Sequence, residues 1–145
     1  MIVSAKVRIL SDYQWTSVAP MIRTALSDAF SFERRLLGQD VVLSEVISII
    51  QQVPGVNYVD VDILDCASEA EAKNPDILND KLKGLAGVDT RWVGEQPLQP
   101  KQRITVNLAQ VEPMASDRSR RIRPAQLAIL SPEVADTLIL KELKS

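Results

Sequence analysis

The run Ser44-Glu-Val-Ile-Ser-Ile-Ile-Gln-Gln-Val-Pro-Gly-Val-Asn-Tyr-Val-Asp-Val-Asp-Ile-Leu64 decides the fold. Val46, Ile47, Ile50 and Val53 follow helical spacing, and Pro54-Gly55 stops that helix. Val59, Val61 and Ile63 then alternate with Asp60 and Asp62, the period of a half-buried strand. Ser44 is the expected N-cap, with Glu45 beside the positive end of the helix dipole. A helix over about 44–53 is therefore followed by a strand over 56–64, long enough at about 3.3 Å per residue to be central.

Working backwards, Ala5, Val7 and Ile9 alternate with Lys6, Arg8 and Leu10, which predicts a first strand near 5–10. Ser11-Asp12 turns the chain. A helix near 17–31 follows, capped by Thr16 or Ser17, with Pro20 in its first turn and a buried stripe of Val18, Ile22, Ala25, Leu26, Ala29 and Phe30. A polar link around Glu33-Arg34-Arg35 and Gly38-Gln39-Asp40 joins it to the next helix. The block Ala25–Leu64 thus reads as scaffold without catalytic apparatus.

Working forwards, Asn74-Pro75 starts a third helix near 75–86 with Ile77, Leu78, Leu82 and Leu85 on one side, ended by Gly84 or Gly87. Gly94, Pro97 and Pro100 mark 87–101 as an irregular loop. Ile104, Val106 and Leu108 predict a strand over 103–111. The apolar runs 125–130 and 137–143, separated by a Pro-containing link of six residues, read most simply as an antiparallel hairpin. The expected architecture is one α+β domain over 1–145, a single small mixed or antiparallel sheet with two to three helices mainly on one face.

Composition sets the bounds. The 145 residues are 46% hydrophobic and 25% charged, enough to close one core, and a formal charge of −2 gives no global pull towards nucleic acid or an anionic membrane. The chain contains no histidine, which excludes histidine-based triads and His-containing zinc sites. The lone Cys66 forms no internal disulfide, so the chain fits a reducing compartment or simply does without crosslinks, and an intracellular origin is expected. No apolar run reaches the ~20 residues of a membrane span, and Met1-Ile-Val-Ser lacks the pattern of a signal peptide. No phosphate-binding glycine motif and no G-x-S-x-G elbow occurs. The expectation is a non-enzyme without cofactor or bound metal.

Four features suggest chemistry, each beside a plainer reading. Asp60, Asp62 and Asp65 form D-x-D-x-x-D, a carboxylate cluster that suits calcium or magnesium, but the glycine and distal glutamate of an EF-hand are lacking. A solvated strand face is the favoured reading. Arg118, Arg120, Arg121 and Arg123 gather four guanidinium groups able to contact phosphates, without interleaved aromatics for base stacking. A solvated loop or protein contact is favoured there over nucleic acid. Cys66 has no activating histidine and reads as a buried or inert thiol. Tyr13 and Trp15 are either exposed partner anchors or a seal on the core, and Trp92 carries the same ambiguity.

Taken in order, several segments resemble the C-terminal region of the baseplate J-like family, baseplate assembly proteins of contractile phage tails and related injection systems. They are Val7-Arg-Ile-Leu-Ser-Asp-Tyr-Gln-Trp15, Asp28-Ala-Phe-Ser-Phe-Glu-Arg-Arg35, Gly38-Gln-Asp-Val-Val-Leu-Ser-Glu45, Val53-Pro-Gly-Val-Asn-Tyr-Val-Asp-Val-Asp62, Ile122-Arg-Pro-Ala-Gln-Leu-Ala-Ile-Leu130 and Asp136-Thr-Leu-Ile-Leu140. The resemblance thins between about Ala67 and Gln102, and such family members are usually longer. It implies a structural wedge component, built in a bacterial or archaeal cytoplasm and then held in the baseplate of a phage tail or tail-like particle. The implied partners are other baseplate or wedge proteins, or copies of the chain itself. Candidate contacts are Tyr13, Trp15, Glu33, Arg34 and Arg35, with Arg118, Arg120, Arg121 and Arg123. Charge reversal at Arg34 and Arg35 is expected to impair assembly and spare the fold. The rival from another class is a nucleic-acid-binding α+β module using Arg118 to Arg123.

Overall fold

The structure is a computed structural model and describes residues 1–87, 100–111, 122–131 and 137–144. The fold is α+β. In chain order its elements are β1 (Ile2–Ile9), α1 (Trp15–Ala29), β2 (Val41–Val42), α2 (Leu43–Gln51), β3 (Val56–Asp65), α3 (Glu69–Lys73), α4 (Pro75–Gly87), β4 (Arg103–Ile104), β5 (Gln110–Val111), β6 (Ile122–Arg123) and β7 (Leu138–Glu142).

The main sheet has the order β3-β1-β7, with β1 antiparallel to β3 and parallel to β7, so it is mixed. Paired residues share a face, and the register sorts them cleanly. Val3, Ala5, Val7 and Ile9 lie in line with Leu64, Val61, Val59 and Val56 on one side and, for the first two, with Leu138 and Leu140 on the other. This apolar face meets Val18, Ile22, Leu26 and Phe30 of α1 and its end, and Leu43, Val46 and Ile50 of α2, in one core with Val41, Ile104 and Leu130. Those spacings of three and four residues are what let each helix present a continuous stripe to the sheet. The two long helical stripes follow the sequence reading, and so do the central strands up to Val61; beyond it the bulge at Asp62 gives the core face to Leu64 and turns Ile63, expected there, to the other side with Ser4.

The differences from that reading have local causes. Helix α1 begins at Trp15, because Ser17 and Val18 amides both bond to Gln14 O, and neither Thr16 nor Ser17 caps it. Pro20 is consequently its sixth residue and removes the bond to Thr16 O. Both residues lie on the exposed side, where the freed carbonyl is open to solvent. Likewise Ser44 does not cap α2: Val42 holds the cap position, and the Leu43 amide bonds to Gln102 O at 2.9 Å. The cap is supplied by a distant backbone, a partner no local motif announces. Gly55 at φ 93° ends α2 as expected, and Leu10 N donates to Gly55 O at 2.9 Å.

The strand expected over 103–111 is divided. Arg103–Ile104 pairs with β2, whereas Gln110–Val111 pairs antiparallel with β6, so the described strands form three sheets and not one. The hairpin of 125–130 with 137–143 does not form. Residues 124–130 carry no strand assignment, Leu130 N bonds to Phe30 O and Gln126 N to Asn107 O, and β7 instead runs parallel to β1. Both apolar runs gained more by burial against the existing core than by pairing with each other.

After β3, a capping box that the sequence reading passed over starts the short α3: Ser68 Oγ accepts from Glu71 N, and Glu71 accepts from Ser68 N. Asn74 Oδ1 accepts from Asp76 N and Ile77 N, so the expected cap of α4 is present. Among the described residues, no helix is long and apolar enough to cross a membrane.

Candidate interaction surface

The link between α1 and β2 is held by a buried cation. Arg35 has a side chain only 2% exposed; its Nη1 pairs with Glu45 at 2.9 Å, while Nη2 donates to Asp40 O at 2.7 Å and Gln39 O at 3.4 Å. The guanidinium lies 5.0 Å from the centre of the Phe30 ring, and Nε is buried without a hydrogen-bond partner. Asp40 in turn accepts from Arg103 Nη1 at 3.2 Å and from Val106 N at 2.8 Å. Arg35 is therefore a strut joining loop, helix and the 103–106 segment. The sequence reading placed it on a partner surface, and that assignment is corrected: the guanidinium has no face left for a partner.

What the strut displays is apolar. Immediately after it, Leu36 and Leu37 are 73% and 65% exposed. Gly38 follows at φ 74°, with Leu108 so close that a Cβ there would stand 2.1 Å from Leu108 Cδ2. Leu108 is itself exposed, as are Phe32, Val111 and Ile122, the last two a cross-strand pair of β5 and β6. The support beneath is stitched by backbone bonds: Gly38 N to Gln126 O, Gln126 N to Asn107 O, and Asn107 N to Gln126 Oε1. Leucines held outward on a fixed support contribute nothing to this chain's own core, which is the usual mark of an interaction surface.

The other candidates distribute as follows. Arg34 is exposed and pairs with Asp28 at 3.1 Å; Glu33 is exposed beside it. Trp15 is half-buried against the core and so seals it. Tyr13 is partly exposed, its ring lying against Gly55, where a Cβ would stand 2.5 Å from Tyr13 Cδ1. Arg123 is exposed in β6 opposite Gln110. Arg118, Arg120, Arg121 and Trp92 lie outside the described residues. Leu36 and Leu37 were overlooked in the sequence because the link around them is otherwise polar. Their signal was that two adjacent leucines there belong to neither helical stripe.

The aspartates are not one solvated face. Asp60 is exposed, but a register shift between Ser4 and Ala5 makes Asp62 the extra residue, and its carboxylate, 10% exposed, pairs with Lys6 at 2.9 Å. That hydrogen bond holds the Lys6 ammonium above its ordinary pKa. Asp65 is bound by Lys101, which it raises in the same way, and it accepts from Cys66 N. Each of these two carboxylates is neutralised by an ammonium group, and among the described residues no cluster of acids suits a metal. Cys66 is exposed, which removes the buried alternative.

No protein-family model, curated protein or solved structure matches this chain.

Proposed function

We propose that this chain is a structural component of a contractile-tail or injection-system baseplate, acting in wedge assembly through protein contacts and not through catalysis. The observation that carries the reading is the apolar surface of Leu36, Leu37 and Leu108, fixed in place by the buried Arg35 and by Gly38. Apolar side chains at the centre of a contact with charged residues around it is the usual anatomy of a protein interface, and here Arg34–Asp28 and Arg103–Asp40 supply such charges. The ordered segments that resemble the baseplate J-like family give the reading its particular content. They include the Phe30 to Arg35 stretch that builds the strut.

Leu37→Asp and Leu108→Asp, introduced into the full gene of a tail-producing strain, test the proposal. Each exchanges an exposed leucine for a charge, so the fold stays within about 0.5 kcal/mol of the parent. The expected result is normal levels of the folded protein and no complete particles by electron microscopy. Full yields of contractile particles from both variants would remove this surface from assembly.

A further inference from the structure

The two edges of the main sheet are treated differently. On the β7 side, Thr137 O accepts from Val3 N at 2.8 Å, which turns the next carbonyl, of Leu138, away from β1. Arg23 of α1 caps that carbonyl through Nη1 at 3.0 Å. Among the described residues, the β3 side has no such cover over 58–61. β3 ends the sheet, and among the described residues the backbone groups of Tyr58 to Val61 bond only towards β1. Register shifts lie at both ends of this stretch, at Asn57 and at Asp62, so Tyr58-Val59-Asp60-Val61 is a regular open window of roughly 13 Å.

The chemistry along the window is directional. On the helix side it presents Val59, half-buried; on the open side it presents Tyr58, 43% exposed, and Asp60, exposed. Asp62 and Asp65 are held in ion pairs with Lys6 and Lys101, whereas Asp60 forms no ion pair among the described residues and feels Lys6, its cross-strand neighbour, only through a longer-range charge interaction. We propose that this edge takes up an extended segment of a partner protein by strand addition, one alternating apolar side chains with lysine or arginine. Main-chain bonds to the open edge supply affinity, and Asp60 selects the basic side chains. A second copy of the chain is disfavoured, because β3 carries no lysine or arginine to set against Asp60 of the other copy when β3 pairs with itself.

The probe is a blocked hexapeptide of three Val-Lys repeats, compared with one of three Val-Glu repeats, against the full chain. Amide hydrogen exchange locates the site and a titration ranks the peptides. The expected result is slowed exchange within residues 58–61 and a preference for the lysine peptide of about tenfold, a difference of about 1.4 kcal/mol. Asp60→Lys reverses the preference and Asp60→Asn abolishes it; the side chain is exposed and outside the core, so both variants fold, as melting curves will check. No protection at 58–61 with millimolar peptide, equal binding of the two peptides, or protection confined to Leu36, Leu37 and Leu108 overturns the proposal. The last outcome would leave the assembly surface standing.

Discussion

Reversing Arg35 to glutamate should unfold much of what reversing its neighbour leaves untouched. Arg35 is sealed by protein, and a glutamate in its place would bring a second carboxylate within reach of Glu45 while stripping Asp40 O and Gln39 O of their donor. Glu45 is 38% exposed and tolerates losing its partner, so the cost comes from the new carboxylate, buried without a counter-charge, at about 3–5 kcal/mol. The contact over Phe30 is lost too. For a chain of this size about 1 kcal/mol moves the melting temperature by about 4 °C, so Arg35→Glu should melt about 12–20 °C lower. Arg34→Glu removes one exposed pair with Asp28 and should cost at most about 1 kcal/mol. Arg35→Met keeps the packing on Phe30 but leaves the two carbonyls unpaired, and should fall between them at about 2–3 kcal/mol. Urea denaturation of the three variants, followed by far-ultraviolet circular dichroism, measures this directly. If Arg35→Glu matched the parent within about 0.5 kcal/mol, the range of an ordinary surface substitution, the strut and the fixed support of the apolar surface would both be refuted.

Other consequences are as specific. Gly55→Ala places a Cβ at 2.5 Å from the Tyr13 ring at a φ of 93°, and should destabilise by about 2–4 kcal/mol, read as a lowered denaturation midpoint with unchanged slope. The Lys6–Asp62 pair gives a pH signature: because the folded pKa of Lys6 is raised above its ordinary 10.5, its contribution is complete below that value and is lost as pH rises through the folded pKa. Parental protein should therefore lose stability more steeply than Lys6→Met as pH rises above about 10.5; parallel curves would count against the pair. Ser68→Ala removes the capping box of α3, costing about 1 kcal/mol, and faster amide exchange confined to residues 69–73 would show it.

The long helical stripes and the alternation of β1 and β3 were legible because each writes its period many times over: Val18, Ile22 and Leu26, or Val3, Ala5 and Val7, all point at one core. Short elements were not. Two-residue strands such as β2 and β4 carry no period, and the Leu43 amide is capped by Gln102 from a distant part of the chain. The run 125–130 has strand composition, yet its amides go to Phe30 O and Asn107 O. Only the tertiary arrangement decides that.

The candidate site divided in the same manner. Arg34 and Arg35 are identical letters side by side; one is exposed and the other is sealed over the Phe30 ring, and nothing in a charge run distinguishes them. Asp62 looks like its neighbour Asp60 until a bulge hands it to Lys6. Leu36 and Leu37, hidden in the sequence by the polar residues around them, form the surface with most to offer a partner.

Site-specific photo-crosslinking from position 108, in cells assembling contractile particles, tests the proposed function most directly. A photoreactive residue replacing Leu108 should join the chain to wedge, tube or sheath proteins in purified particles, and Leu37→Asp in the same chain should abolish those products. Crosslinks to nucleic acid alone, or particles that lack the chain altogether, would contradict the account.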